Sequence, residues 1–171
     1  MKYYAVIDTN VLVSSLLTSN PNSTIAKIIN YVRLGSIIPM FNDTILEEYQ
    51  AVLCRDRFHF DKDRINELIE LINNKGIHCG RKSVSDYFPD SDDIVFYEVA
   101  MSREDSYLVT GNLRHFPKNG RVVSPADMIF IIENGEKSHD VLSDPESSYY
   151  LPISLEEINS IIREVRLTLS Y

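Results

Sequence analysis

The chain has 171 residues, about the length of one domain. A hydrophobic fraction of 44% and a charged fraction of 25% are ordinary for a globular protein, which excludes a disordered, collagen-like or coiled-coil chain. No apolar run reaches the roughly 18 residues of a membrane span, and the two cysteines form no Cys-x-x-Cys pair, so we expect a cytoplasmic protein without membrane contact. The net charge of −8 excludes passive attraction of nucleic acid, so any nucleic-acid chemistry needs a local site with bound cations.

The hydrophobic pattern predicts strands that alternate with helices along the first 132 residues. Apolar runs of β-type residues predict strands at 3–7, 37–41, 77–79, 106–109 and 121–123. Helical spacing and capping residues predict helices over 11–17, from 22 or 23 to Gly35, from 43 or 44 to 53, from 61 or 63 to Gly76, over 92–102 and over 125–132. This alternation is typical of an α/β sandwich around a parallel sheet.

The pattern changes after this region. Residues 133–152 are rich in Gly, Lys, Ser, Asp and Pro and have little periodicity, which predicts a linker or surface loop. Ser154 and Glu157 then form a capping box ahead of an amphipathic helix. We therefore divide the chain into an α/β domain over 1–135 and a linker with a C-terminal helix over 136–171. Two hypotheses for that helix stay open: it packs on the same domain, or it forms part of an interface with another chain.

Polar residues directly follow two of the predicted strands. Asp8 follows the first strand in the sequence Ile7–Asn10, and Thr110–Asn112 follows the strand at 106–109. Ligands of parallel α/β sheets bind outside the carboxyl ends of the strands, so we expect both groups at the same edge of the sheet. A helix N-cap is the alternative interpretation of Asp8.

Two further acidic positions are unusual. At about 100° per residue, Glu48 lies at the margin of the apolar stripe of its helix, where its carboxylate can reach into a cleft; a solvated position is the alternative. Asp90, Asp92 and Asp93 precede a helix that is apolar almost all round, and one cap and one dipole partner explain only two of these acids. Asp93 also shares a face with apolar residues, where an unpaired carboxylate is costly unless a cation lies nearby.

Together these residues suggest carboxylates that converge with an Asn amide at one edge of the sheet. Hard oxygen ligands of this kind suit Mg²⁺ or Mn²⁺ and not zinc. Crowded like charges repel, so without metal at least one carboxyl pKa should be raised. Metal ions at such a site activate water and stabilise charge on a phosphoryl oxygen, which is the chemistry of phosphodiester hydrolysis.

The order and spacing of these motifs resemble those of the PIN domain family. The resemblance is carried by Ile7–Asn10, by Glu48 in Leu46–Tyr49, by Asp93 seven residues before Ala100, and by Val109–Asn112. It covers about residues 3–132 and is closest to toxin components of bacterial toxin–antitoxin systems, the VapC-like ribonucleases. It implies a three-layer α/β/α fold with a mainly parallel sheet, endoribonuclease activity with one or two Mg²⁺ or Mn²⁺ ions, homodimers, and inhibition by an antitoxin protein.

The resemblance also implies a set of site residues. The catalytic positions are Asp8, Glu48, Asp93 and Asn112, and the metal ligands are Asp8, Glu48 and Asp93 with Asp90 and Asp92 as further candidates. Thr9, Asn10 and Thr110 would orient the carboxylates or contact a phosphate, and Arg114 would contact substrate. A surface position at the start of a helix is the alternative for Arg114 and His115. Asn112 departs from the family pattern, which often has Asp there, and the lost charge weakens the expected metal affinity.

Other functions explain these residues less well. A phospho-acceptor receiver domain requires an acidic pair after the first strand and a late Lys, and a haloacid-dehalogenase-type phosphatase requires Asp-x-Asp where this chain has Asp8 and Asn10. The serious alternative is a PIN fold that serves as a binding module with weak catalysis. The net charge of −8 and Asn112 favour that alternative, whereas Asp8, Glu48 and Asp93 argue against it.

Overall fold

Five short apolar segments pair into one sheet in which all neighbouring strands are parallel. The strands are β1 (Tyr3–Ile7), β2 (Ile37–Phe41), β3 (Ile77–His78), β4 (Ser106–Val109) and β5 (Val122–Val123). The computed structural model describes residues 1–135 and 154–169. Most of the predicted linker, residues 136–152, therefore lies outside the described residues.

Helices flank the sheet, and most of them begin at residues whose side chains accept backbone N–H bonds. Their bounds are α1 (Thr9–Leu17), α2 (Thr24–Arg33), α3 (Asp43–Leu53), α4 (Lys62–Lys75), α5 (Ile94–Ala100), α6 (Pro125–Asn134) and α7 (Leu155–Leu169). The predicted three-layer α/β/α sandwich with a C-terminal helix is confirmed. Among the described residues, every helix is too short or too polar to cross a membrane.

The ends of several helices differ from the sequence prediction, and α1 begins at Thr9, two residues before its predicted start. The cap of α3 is Asn42, whose Oδ1 accepts the N–H of Ile45 at 3.0 Å, and it precedes the two predicted candidates. The predicted helix over 92–102 is a 3-10 turn over Ser91–Asp93 followed by the shorter α5. The last helix before the linker begins with a Ser124–Asp127 capping box and continues to Asn134, beyond its predicted end at 132.

The strand order β3–β2–β1–β4–β5 determines where a site can form. The chain builds β2 and β3 on one side of β1 and then returns to the other side for β4 and β5. The direction of winding therefore reverses between β1 and β4, and ligands bind at such a switch point in open parallel sheets. Ile7 pairs with Val109 in the register of these strands, so Asp8 and Thr110 leave the sheet side by side.

The C-terminal helix α7 packs against α1 and α3. The predicted apolar positions of α7 are all buried, and one charged residue is buried with them: Ile158, Ile161, Ile162, Val165 and Arg166. The Oγ of Ser154 accepts the N–H of Glu157 at 3.1 Å, which forms one half of the predicted capping box. This packing places α7 directly over the carboxyl edge of the sheet.

Candidate active site

Asp8 lies at the end of β1 and is almost fully buried, with 4% exposure. It caps α1, and it also takes part in a polar network that a helix cap does not need. Its Oδ2 accepts hydrogen bonds from the Thr110 hydroxyl at 2.6 Å and from the Asn10 amide at 2.8 Å. Asp8 therefore caps a helix and also lies beside Thr110 at the expected edge of the sheet, and its role in metal binding or catalysis stays a prediction.

Asn10 and Thr110 join the ends of β1 and β4. The Oδ1 of Asn10 accepts the N–H of Gly111 at 3.0 Å, and the Oγ1 of Thr110 accepts the N–H of Asn112 at 2.9 Å. A Cβ at Gly111 would lie 3.2 Å from Asn10 and 3.4 Å from Leu155 of α7, so a side chain there would crowd both the network and the covering helix. The predicted role of Asn10 and Thr110 in orienting a carboxylate matches these contacts.

Glu48 approaches the same edge from α3 and is buried, so the solvated alternative for this residue is wrong. The hydroxyl of Thr9 donates to its Oε1 at 2.5 Å. The next residue, Tyr49, fastens α3 to the sheet because its hydroxyl donates to the backbone carbonyl of Ile7. The helix therefore holds its Glu48 carboxylate inside the fold, beside the end of β1 that carries Asp8.

Asp93 completes the group of buried carboxylates, at the end of the 3-10 turn before α5. Its Oδ2 lies 3.0 Å from the Nδ1 of His115, a residue of the turn over Leu113–His115 that follows β4. The interpretation of His115 as a surface residue is therefore wrong, since its ring is half-buried against a candidate catalytic acid. Arg114, by contrast, is exposed on this turn, and its predicted contact with substrate stays a prediction.

The cation that balances these acids is the guanidinium of Arg166 from α7. Its Nε donates to Glu48 Oε2 at 2.9 Å and its Nη1 donates to Asp93 Oδ1 at 2.7 Å. Weaker contacts join Nη2 to Glu48 Oε1 at 3.3 Å and Nη1 to Asp90 Oδ2 at 3.5 Å. The guanidinium also lies over the ring of Phe96, with the central carbon 5.6 Å from the ring centroid. Arg166 is itself only 5% exposed.

Burial and charge shift the protonation of this cluster. Burial, followed by the nearby Asp8 carboxylate, raises the pKa of Asp93 to about 6, although Arg166 and His115 act in the opposite direction. Burial also raises the pKa of Glu48, against the effect of Arg166. Burial by itself lowers the pKa of Arg166, but the carboxylates of Glu48 and Asp93 raise that pKa by a larger amount. The guanidinium therefore stays charged. The sequence argument anticipated a raised carboxyl pKa but named repulsion as the cause, whereas burial is the larger effect.

The remaining predicted residues lie around this centre. Asp90 caps the 3-10 turn and reaches Arg166, whereas Asp92 lines an adjoining cavity of about 230 Å³ beside Glu48. A second, much smaller cavity is lined by Asp8, Asp90 and Asp93 among others, and Asn112 is not one of its described lining residues. Asn112 is tied to the network through its backbone, and a catalytic role for its side chain stays a prediction.

The chemistry of this site suits a hard divalent cation. Within residues 1–135 and 154–169, no three acidic, His or Cys side chains lie close enough together to hold a metal ion as they stand. The donors are nevertheless carboxylate oxygens from three separate elements, and a positive group already sits among them. These oxygens are of the kind that a hard divalent cation binds, and the Arg166 guanidinium lies between those of Glu48 and Asp93.

Arg166 is the residue that the sequence analysis missed. It follows Ile162 by four positions and so lies on the apolar stripe of α7, where a charged side chain is unusual. The same argument had singled out Asp93, and the two residues form a pair in the structure. The sequence did contain a signal for this pair, namely a charged residue on the apolar face of each helix. It does not show which buried acid contacts which buried base.

Comparison with known proteins identifies the family of this fold. The family model of the PIN domain matches residues 4–114, which is more than half of the chain. The chain belongs to the PIN domain family. No curated protein matches the sequence significantly. The matched residues of this PIN domain include Asp8, Glu48, Asp93 and Asn112, whereas α7 and Arg166 lie beyond them. PIN domains are in general nucleases, often metal-dependent ribonucleases, so a nuclease fold carries the buried acidic site.

Proposed function

We propose that this PIN domain is a metal-dependent nuclease that hydrolyses phosphodiester bonds of RNA. The observation that carries the proposal is the sharing of one cation by carboxylates from separate elements at the switch point of the sheet. Buried carboxylates that serve only structure are normally paired one to one, because each unpaired charge is costly. A cluster with more acids than bases at a ligand-binding edge is instead what a cation-dependent reaction requires.

Asp8, Glu48 and Asp93 would hold one or two Mg²⁺ or Mn²⁺ ions, with Asp90, Asp92 and the carbonyl oxygen of Asn112 as further donors. The ion supplies a water of lowered pKa and stabilises negative charge that builds on the phosphoryl oxygens. Oxygen donors of this kind favour these hard cations over zinc.

The chain's own residues position the acids for this reaction. Thr110 and Asn10 hold the carboxylate of Asp8, and Thr9 holds that of Glu48 through its hydroxyl. Each of these donors is itself buried, so the hydrogen bonds hold the carboxylates at the edge of the sheet without competition from solvent. Such outer contacts orient metal ligands and raise the precision of the site.

The finer parts of the proposal come from the resemblance described above. They are RNA as the substrate, a role as the toxin of a toxin–antitoxin pair in the cytoplasm, inhibition by an antitoxin protein, and a homodimer. Arg114 is exposed beside the site and is the candidate for contact with the substrate backbone.

A second candidate function is a PIN-fold binding module with weak catalysis. The observation that favours it is Arg166, whose guanidinium takes up the oxygens that a metal would need. The net charge of −8 points in the same direction. The two candidates differ in whether the acidic cluster cleaves nucleic acid when a divalent ion is supplied.

The test is cleavage of labelled single-stranded RNA and DNA in Mn²⁺. Two parent chains, the wild type and Arg166→Gln, are each compared with the same chain carrying Asp8→Asn. We expect Asp8→Asn to lower RNA cleavage by about 100-fold or more while the fold is kept, because ligand position and charge are both affected. Asp43→Asn is the matched control, since Asp43 is exposed on the surface. Equal cleavage by the parent and Asp8→Asn chains, or cleavage that survives a chelator, would contradict the nuclease proposal and favour the binding module.

A further inference from the structure

Arg166 does more than neutralise one acid. It contacts both oxygens of Glu48 and one oxygen of Asp93, while the other oxygen of Asp93 faces His115 and Glu48 Oε1 also accepts from Thr9. Both carboxylate oxygens of Glu48 and both of Asp93 are therefore already engaged. An ion can bind these carboxylates only if the guanidinium moves away, because both cations compete for the same oxygens.

The helix that carries Arg166 also fills most of the space beside Asp8 and Asp93. Ile162 and Arg163 of α7 line the cavity that contains Asp8 and Asp93, and this cavity measures only about 10 Å³. A volume of that size holds about one water molecule, so a phosphodiester cannot enter it. Arg163 adds a second positive side chain there, 3.8 Å from Asp90 Oδ2.

The contacts of α7 explain how the guanidinium is held in place. One face of the helix is buried on α1 and α3 through four apolar residues. At its two ends, polar pairs join α7 to the region after α3: Arg57 with Glu157 at 3.0 Å and Arg55 with Thr168 at 3.3 Å. These pairs are exposed and contribute little to stability, so the helix is docked mainly by its apolar face.

We propose that α7 is an autoinhibitory segment and that Arg166 occupies the cation site of the nuclease in its resting state. The inference rests on the proposed function, because it takes the acidic cluster to be the place where a divalent ion acts. The active form requires Arg166 to leave Glu48 and Asp93, which frees their oxygens and opens the edge of the sheet to nucleic acid. Any partner or condition that removes α7 from α1 and α3 would activate the enzyme.

The closed helix should weaken the binding of a divalent ion by a measurable factor. A ligand that binds only an open state loses affinity in proportion to the fraction of molecules that are open. Minor states are commonly populated at about 0.1–10%, so the closed helix should weaken Mn²⁺ binding by about 10- to 1,000-fold. Removal of the guanidinium should recover most of that factor.

The experiment is a Mn²⁺ titration of the full chain, with free Mn²⁺ followed by electron paramagnetic resonance. Arg166→Gln is expected to bind Mn²⁺ at least about tenfold more tightly than the wild type. Arg33→Gln is the matched control, because it removes the same charge from an exposed pair with Glu67 and should leave the affinity unchanged. Equal or weaker binding by Arg166→Gln would overturn the proposal, because the guanidinium would then not compete with the ion.

A second variant and a second measurement cover a failure of Arg166→Gln to fold. Arg166→Lys keeps the charge but loses the planar fork that contacts two acids, so it should bind Mn²⁺ with an intermediate affinity. In the wild type, saturating Mn²⁺ should speed hydrogen exchange of the amides in Leu155–Leu169 by at least about tenfold. Unchanged protection of α7 at saturating, bound Mn²⁺ would contradict the proposal.

These results separate the inference from the proposed function. Tighter Mn²⁺ binding by Arg166→Gln without cleavage of any nucleic acid would support the occupation of the cation site by Arg166 and contradict the nuclease. Cleavage that needs Asp8 but has the same Mn²⁺ dependence in wild-type and Arg166→Gln chains would support the nuclease and contradict autoinhibition.

Discussion

At the scale of single residues, the site is determined by short hydroxyl and amide contacts to buried carboxylates. Asp8 accepts from Thr110 and Asn10, and Glu48 accepts from Thr9, all within the closed interior of the fold. Hydrogen bonds to ionised groups are stronger than those between neutral groups. Loss of one such donor should therefore disturb the carboxylate that it orients more than the fold as a whole.

Thr110→Val tests this orientation directly. Valine has almost the same shape but cannot donate to Asp8 or accept from Asn112, so we expect Mn²⁺-dependent cleavage to fall by about 10- to 100-fold. Thr110→Ser, which keeps the hydroxyl, should retain most of the activity. The measurement is kcat/KM on the RNA that the protein cleaves best. If the valine and serine variants had equal activity, the hydroxyl would not orient Asp8.

Individual residues also show which parts of the site are predictable from sequence. The proximity of Asp8 and Thr110 was predictable, because a parallel sheet brings the carboxyl ends of neighbouring strands together whatever the sequences of the strands. The pairing of Arg166 with Glu48 and Asp93 was not predictable from the sequence, because these contacts join residues 118 and 73 positions apart in the chain. Helical periodicity places a residue on a face, but it does not determine which element that face meets.

At the scale of elements, α7 is held by its apolar face, and its charged residue depends on that face for position. Ile158, Ile161, Ile162 and Val165 are each at most 3% exposed, whereas Leu167 on the other face is 66% exposed. A helix of this length is marginal on its own in water, so it owes its stability to packing. The strength of this packing therefore sets how firmly Arg166 is held over the acids.

Ile161→Ala should weaken the docking of α7. Truncation of a buried Ile costs about 2–5 kcal/mol, and here that cost falls on the contact of α7 with α1 and α3. We expect faster hydrogen exchange within Leu155–Leu169 and a higher rate of Mn²⁺-dependent cleavage. The matched control is Leu167→Ala on the exposed face, which should change neither quantity. Slower cleavage by a folded Ile161→Ala chain would contradict the covering role of the helix.

The elements themselves followed from the sequence more closely than their ends did. Apolar runs located the strands, and side chains such as Ser23 and Asp61 started helices where the sequence predicted them. The start of α5 was misjudged because Ser91–Asp93, capped by Asp90, form a tighter 3-10 turn, a common geometry at helix ends that periodicity does not detect.

At the scale of the whole molecule, the strand order brings the acids together and α7 supplies the charge that they lack. The fold gathers buried carboxylates at one edge although the chain already carries a net charge of −8. Removal of one partner from a buried ion pair typically costs about 3–5 kcal/mol, so the acids need a cation in every state of the protein. In our account that cation is Arg166 at rest and a divalent ion during the reaction.

The most direct test of this account is the anomalous X-ray signal of Mn²⁺ in crystals of the Arg166→Gln chain grown with saturating Mn²⁺. We predict a manganese peak between Asp8, Glu48 and Asp93, at the carboxyl edge of β1 and β4. The same measurement on Asp8→Asn/Arg166→Gln crystals should show a much weaker peak at that position. The absence of a manganese peak at these carboxylates, or a peak only elsewhere, would contradict the central claim. That claim is that this acidic cluster is the metal site of a nuclease.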